Sequence, residues 1–186
     1  LSLSHGFFVL IKKIKITMET NLATPTSNSI ISPAQLLEHW QGHRSLTRRV
    51  IEAYPDDKLF NYSIDGMRTF AQLISEMTDL AAGGIEGIAT GKWKPVEELG
   101  HVTGNAPDTK EGILTLWDKI TVQINLLWKH TPISRFQEVE MAFGVYEGTV
   151  YSTLLYIIDN ETHHRGQAYV YLRSLGITPP PFWDRA

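Results

Sequence analysis

No cysteine occurs among the 186 residues. That absence removes disulfides, thiolate metal ligands and a cysteine nucleophile together. Any metal site must therefore draw on histidine, carboxylate, amide or water ligands. Long apolar runs are missing too, and runs such as Phe7–Ile11 are far too short to span a bilayer. Charge of one sign is not in excess: 17 basic and 20 acidic residues give a net charge of −3, which supplies no general attraction to nucleic acid. There is no glycine-rich phosphate loop, internal repeat, heptad array or low-complexity tract. With 42% hydrophobic and 20% charged residues, what is left is an ordinary globular chain long enough to bury one core. The lack of cysteine suits a reducing compartment, so the expected setting is cytoplasmic, with neither membrane nor nucleic acid as a partner.

The first segment reads differently from the rest. Phe7-Phe8-Val9-Leu10-Ile11 precedes Lys12-Lys13-Ile14-Lys15, the reverse of a signal peptide's order of charge before apolar run. Met18 follows, then a polar stretch to Ser29. Residues 1–29 are expected to be an N-terminal extension, with residues 1–17 upstream of a start at Met18; the other reading is a short strand or amphipathic arm. Residues 30–186 form the expected domain.

Four helical segments stand out by periodicity. Ser32 as N-cap and Pro33 at the first position open a helix to about Ala53, with Leu36, Leu37, Trp40, Leu46, Val50 and Ile51 on its apolar face. A second runs from about Thr69 to Ile88, burying Phe70, Leu73, Ile74, Met77, Leu80 and Ala81. Gly83-Gly84 either bends it or allows close packing. A third spans about Thr109 to Lys129, with Ile113, Leu116, Trp117, Ile120, Ile124 and Leu127 on one face. The pattern from Phe136 to Phe143 stays open between strand and loop. The fourth helix runs from about Glu147 to Leu175 and stops at Gly176 and Pro179. Four such helices with long connections define an all-α four-helix bundle, a fold that builds sites from inward side chains. The tail Thr178-Pro179-Pro180-Pro181-Phe182-Trp183 is expected to pack its aromatics across an open end of the bundle.

The most informative stretch is Asn160-Glu161-Thr162-His163-His164-Arg165-Gly166-Gln167, polar and metal-capable inside an otherwise buried helix. Asn160 and His164 lie four residues apart and share a face. Tyr156 extends that face backward, and Gln167 and Tyr171 extend it forward, as candidate pocket walls. His163 is rotated about a quarter turn or more away. Two helical ligands plus one from another helix make a three-ligand site open to water or substrate. The alternative is a structural hydrogen-bond network, because buried imidazoles need partners in either case.

Residues 160–167 together with Leu172-Arg173-Ser174-Leu175-Gly176 and Pro180-Pro181-Phe182 resemble the end of DinB-like proteins of the DinB/YfiT superfamily, and Arg68-Thr69-Phe70-Ala71-Gln72-Leu73-Ile74 resembles their second helix. The resemblance covers roughly residues 30–184. It implies a four-helix bundle, commonly a homodimer, with a divalent metal on three histidines, one from the second helix and two from the last. Carried over by position, those ligands fall on Glu76, Asn160 and His164, so only one histidine is retained. Asparagine is a weak ligand for zinc or nickel, whereas glutamate is a competent one that adds charge. Nickel, zinc, manganese or no metal at all remain open, and Glu76 with Asn160 and His164 also makes sense as a cation-free cluster. The resemblance further implies a metal-dependent thiol S-transferase acting on a small electrophile with a low-molecular-weight thiol, His163 and Tyr156 shaping the pocket. The alternative is a non-catalytic small-ligand-binding or dimeric interaction module that has lost the metal. His39, His43, His101 and His130 are assigned no chemistry.

Overall fold

A capping box starts the fold: Ser32 accepts the Gln35 backbone N–H and the Gln35 side chain accepts that of Ser32, with Pro33 at the first turn of α1 (Pro33–Ala53). The structure, a computed structural model, describes residues 30–186. The expectations for residues 1–29 lie outside the described residues. Thr69 and Gln72 close a second capping box at α3 (Phe70–Thr90), after the single turn α2 (Asp56–Leu59). Another single turn, α4 (Gly100–Thr103), precedes α5 (Lys110–Trp128), which Thr109 caps. An antiparallel hairpin of β1 (Val139–Ala142) and β2 (Tyr146–Thr149) leads into α6 (Val150–Ser174), with Thr149 as its N-cap.

The four long helices agree with the sequence pattern, but the hairpin takes the first residues expected of α6. Glu147 pairs with Met141, and the chain reverses through Phe143 and Gly144, both at positive φ (53° and 78°). The open region 136–143 thus resolves into a 3₁₀ turn and one strand. Helices α1 and α3 each pack against both α5 and α6, so they stand diagonally opposite each other. Gly83-Gly84 serves close packing: a Cβ on Gly84 would lie 2.3 Å from Ile157 Cδ1. Near the end of α3, Arg135 donates to the carbonyls of Gly87 and Ile88 and binds Glu140, which also accepts the Trp93 indole N–H.

The expectation for the tail is overturned. Phe182 and Trp183 are 62% and 74% exposed. The segment is tied down instead by polar contacts with α1, where Asp184 pairs with Arg49 at 3.0 Å and Ser45 donates to the Ala186 carbonyl. Beyond the prolines, the Asp184 carboxylate and the Ala186 carbonyl make the contact that the rings do not.

Two apolar clusters fill the bundle. One holds Trp40, Ile85, Ile124, Phe143 and Leu154; the other holds Val50, Tyr54, Phe70, Trp117 and Tyr171. On α1 the stretch between them carries His43, Arg44 and Thr47, and on α6 it carries Asn160, Glu161, His164 and Arg165, all buried. A polar belt therefore crosses the bundle between the two apolar layers.

Candidate functional site

The belt has two halves because neighbouring residues of α6 face different helices. Toward α1, Glu161 accepts the Thr47 hydroxyl at 2.6 Å and lies 3.7 Å from Arg165 and 3.9 Å from Arg44. Arg44 stacks over the Trp117 ring at 4.0 Å and donates to Thr121 and to the Trp117 carbonyl. Arg165 donates to Thr47, to the His43 carbonyl and to His43 Nδ1 at 2.8 Å. Burial first, and then Arg165, Arg185 and His39, push the His43 pKa down from 6.5 to about 3. Sequence reasoning assigned His43 nothing. Its spacing from His39 on a polar flank carried no signal of burial, and only the position of Arg165 reveals the contact.

Toward α3, the structure brings Glu76, Asn160 and His164 together. Asn160 Nδ2 donates to Glu76 Oε1 at 2.7 Å, His164 Nε2 donates to the same oxygen at 3.1 Å, and Arg68 donates to Oε2 at 2.6 Å. These bonds, the His164 one foremost, hold the Glu76 carboxyl well below the usual carboxylate range against the opposing effect of burial. His164 Nδ1 faces Gln167 Oε1 at 3.1 Å, and Gln167 Nε2 donates to His163 Nε2 at 3.1 Å. His163 is exposed, and Gln167 bonds within its own helix to His163 and His164.

The remaining candidates lie apart from the cluster. Tyr171 is buried and donates its hydroxyl to the Arg68 carbonyl at 3.0 Å. Tyr156 is 54% exposed and borders a separate depression with Phe143, Tyr146 and Ser152. Arg68 is shared: it pairs with Glu76 and also lines a cavity of about 380 Å³ between the start of α3 and the segment around α4.

A zinc or nickel ion on this triad fits poorly. Glu76 Oε1 can only accept, so the Asn160 amide must turn its nitrogen toward it, and Asn160 Oδ1 is left buried without a hydrogen-bond partner. A shared cation needs that oxygen, and the His164 Nε2 lone pair, where donor hydrogens now point. Among the described residues no group of three or more histidine or acidic side chains is placed to hold a metal ion.

Four long helices with this polar cluster between the second long helix and the last define the class of protein, a four-helix bundle with an interior polar site. The chain belongs to the DinB family, whose family model matches residues 18–185. A DinB-like protein from Bacillus cereus superposes with a TM-score of 0.63 at 18% identity, covering 80% of this chain and 95% of that one. A DinB-like protein from Bacillus subtilis gives 0.64 at 17% identity, covering 82% and 99%. A mycothiol-dependent maleylpyruvate isomerase gives 0.61 at 11% identity, covering 75% of this chain and 61% of that chain. At such identities the likeness establishes the fold alone. No curated protein matches the chain. Among the described residues no helix is long and apolar enough to cross a membrane.

Proposed function

We propose that this chain is a DinB-family small-ligand-binding module that works without a resident zinc or nickel ion. The observation that carries the reading is the saturation of Glu76. Its carboxylate accepts from Arg68, Asn160 and His164 at 2.6, 2.7 and 3.1 Å, so the charge that a cation needs is already balanced by side-chain donors. The cavity beside Arg68 supplies the room for a ligand.

A second reading, a metal-dependent thiol S-transferase acting on a small electrophile, is favoured by the partnerless Asn160 Oδ1 and by the likeness to a mycothiol-dependent isomerase. Metal analysis decides between them. Tag-free protein purified without chelator and offered nickel, zinc or manganese is expected to retain far less than one equivalent per chain. The double variant Glu76→His, Asn160→His is expected to gain zinc or nickel. About one equivalent in the parent protein, lost in His164→Ala, overturns the proposal and moves the work to thiols and electrophiles.

A further inference from the structure

We propose that the cavity between α3 and α4 binds a neutral small molecule through a hydrogen-bond pair, giving a hydrogen to Nε2 of His101 and accepting one at Gln72. This specifies the ligand class for the small-ligand reading above and rests on it.

His101 is held by Asp79 on α3. One carboxylate oxygen, Oδ2, accepts both the His101 backbone N–H at 2.6 Å and its ring Nδ1 at 2.8 Å. A carboxylate has no hydrogen to give, so Nδ1 carries a proton, and in the tautomer this bond selects Nε2 is the acceptor nitrogen. Gly100 makes that approach possible: a Cβ there would come within 2.7 Å of the Asn105 carbonyl and 3.2 Å of Asp79. A clamp on the loop explains the backbone bond and Nδ1. It makes no use of Nε2, which has no protein partner among the described residues while the ring borders the cavity.

The rest of the lining completes the complement. Gln72 Oε1 is consumed by the backbone N–H and hydroxyl of Thr69, which leaves its amide hydrogens for a ligand carbonyl. Phe60 and Pro107 give an apolar wall, and a cavity of about 380 Å³ has room for a single substituted ring. Charge argues against an anion. Arg68 is paired with Glu76, and the remaining charged residue of the lining apart from His101 is Asp108. An acid would meet a carboxylate and an acceptor nitrogen, whereas an amide meets matched partners.

Benzamide and benzoate test this, being alike in shape and opposite in the feature that matters. With full-length ¹⁵N-labelled protein at pH 7.5, benzamide is expected to shift the His101 ring resonances in histidine-ring NMR, and benzoate to bind at least ten-fold more weakly. His101→Phe keeps the backbone N–H bond to Asp79 and a ring beside the cavity but removes Nε2, with binding read from backbone amide shifts. That variant is expected to lose benzamide binding while the rest of its spectrum stays folded. Benzoate binding as tightly as benzamide, no binding of either, or unchanged binding in His101→Phe overturns the proposal. Benzamide shifts gathered around Tyr156 instead also overturn it, yet leave the small-ligand reading standing. A retained equivalent of metal overturns that reading whatever benzamide does.

Discussion

Mild acid is expected to weaken this fold through His43. His43 is buried, and Arg165 donates to its Nδ1 at 2.8 Å, so a proton arriving there would face a guanidinium. Its pKa falls from 6.5 to about 3, from burial first and from Arg165 next. Between those values the unfolded chain binds a proton that the folded chain refuses. The stability contribution is therefore complete above 6.5 and is lost as pH falls toward 3. Each pH unit in that window is worth about 1.4 kcal/mol, so moving from pH 7 to pH 5 costs about 2 kcal/mol at this site alone. Urea unfolding at the two pH values measures it, with His43→Gln as reference, because the glutamine oxygen still accepts from Arg165 and does not titrate. The parent protein is expected to lose about 2 kcal/mol more than the variant. Equal losses in both would show that His43 takes up its proton freely in the native state.

Three further outcomes follow from the packing. In Gly87→Ala the new methyl would sit 2.2–2.6 Å from the Trp93 ring; a loss of about 1–3 kcal/mol and a red-shifted tryptophan emission are expected, and an unshifted spectrum would mean that the ring adjusts in place. Glu161→Gln leaves Arg44 and Arg165 buried without a counter-charge and is expected to cost about 3–5 kcal/mol. Glu76→Gln, with a partly exposed partner in Arg68, is expected to cost about 1–3 kcal/mol, and thermal melts that reverse this order would contradict the two-sided belt. Phe182→Ser is expected to stay within about 0.5 kcal/mol of the parent protein, since the ring is 62% exposed; a larger loss would restore the packed tail.

The helices were legible where local chemistry marks their ends. Ser32 with Gln35 and Thr69 with Gln72 announce two starts, Thr109 announces a third, and Gly176, at φ 75°, stops the last. The start of α6 was misplaced because Glu147 suits a helix by itself and is drawn into a strand by pairing with Met141. The tail failed for a related reason: aromatic residues after prolines suggested burial, while the contacts that hold the segment belong to Asp184 and Ala186.

The polar belt is where one-dimensional pattern gives out. Asn160 and His164 face α3, while Glu161 and Arg165, one position on, face α1. A search for one apolar stripe treats such a helix as solvated on its polar arc, yet all four residues are buried. Arg44 and Thr47 lie off the apolar face of α1 that the periodicity marks, and their burial is explained once Glu161 is set against them. The same geometry shows why the departures at positions 76 and 160 belong together. Glu76 brings an acceptor that needs hydrogens, and Asn160 brings the hydrogens, at 2.7 Å. Without Asn160 the carboxylate would lose one of its donors; with His164 the pair satisfies Glu76 and leaves Asn160 Oδ1 without a partner. Glu76 and Asn160 thus act together in one hydrogen-bond cluster, centred on a carboxylate that already has its donors.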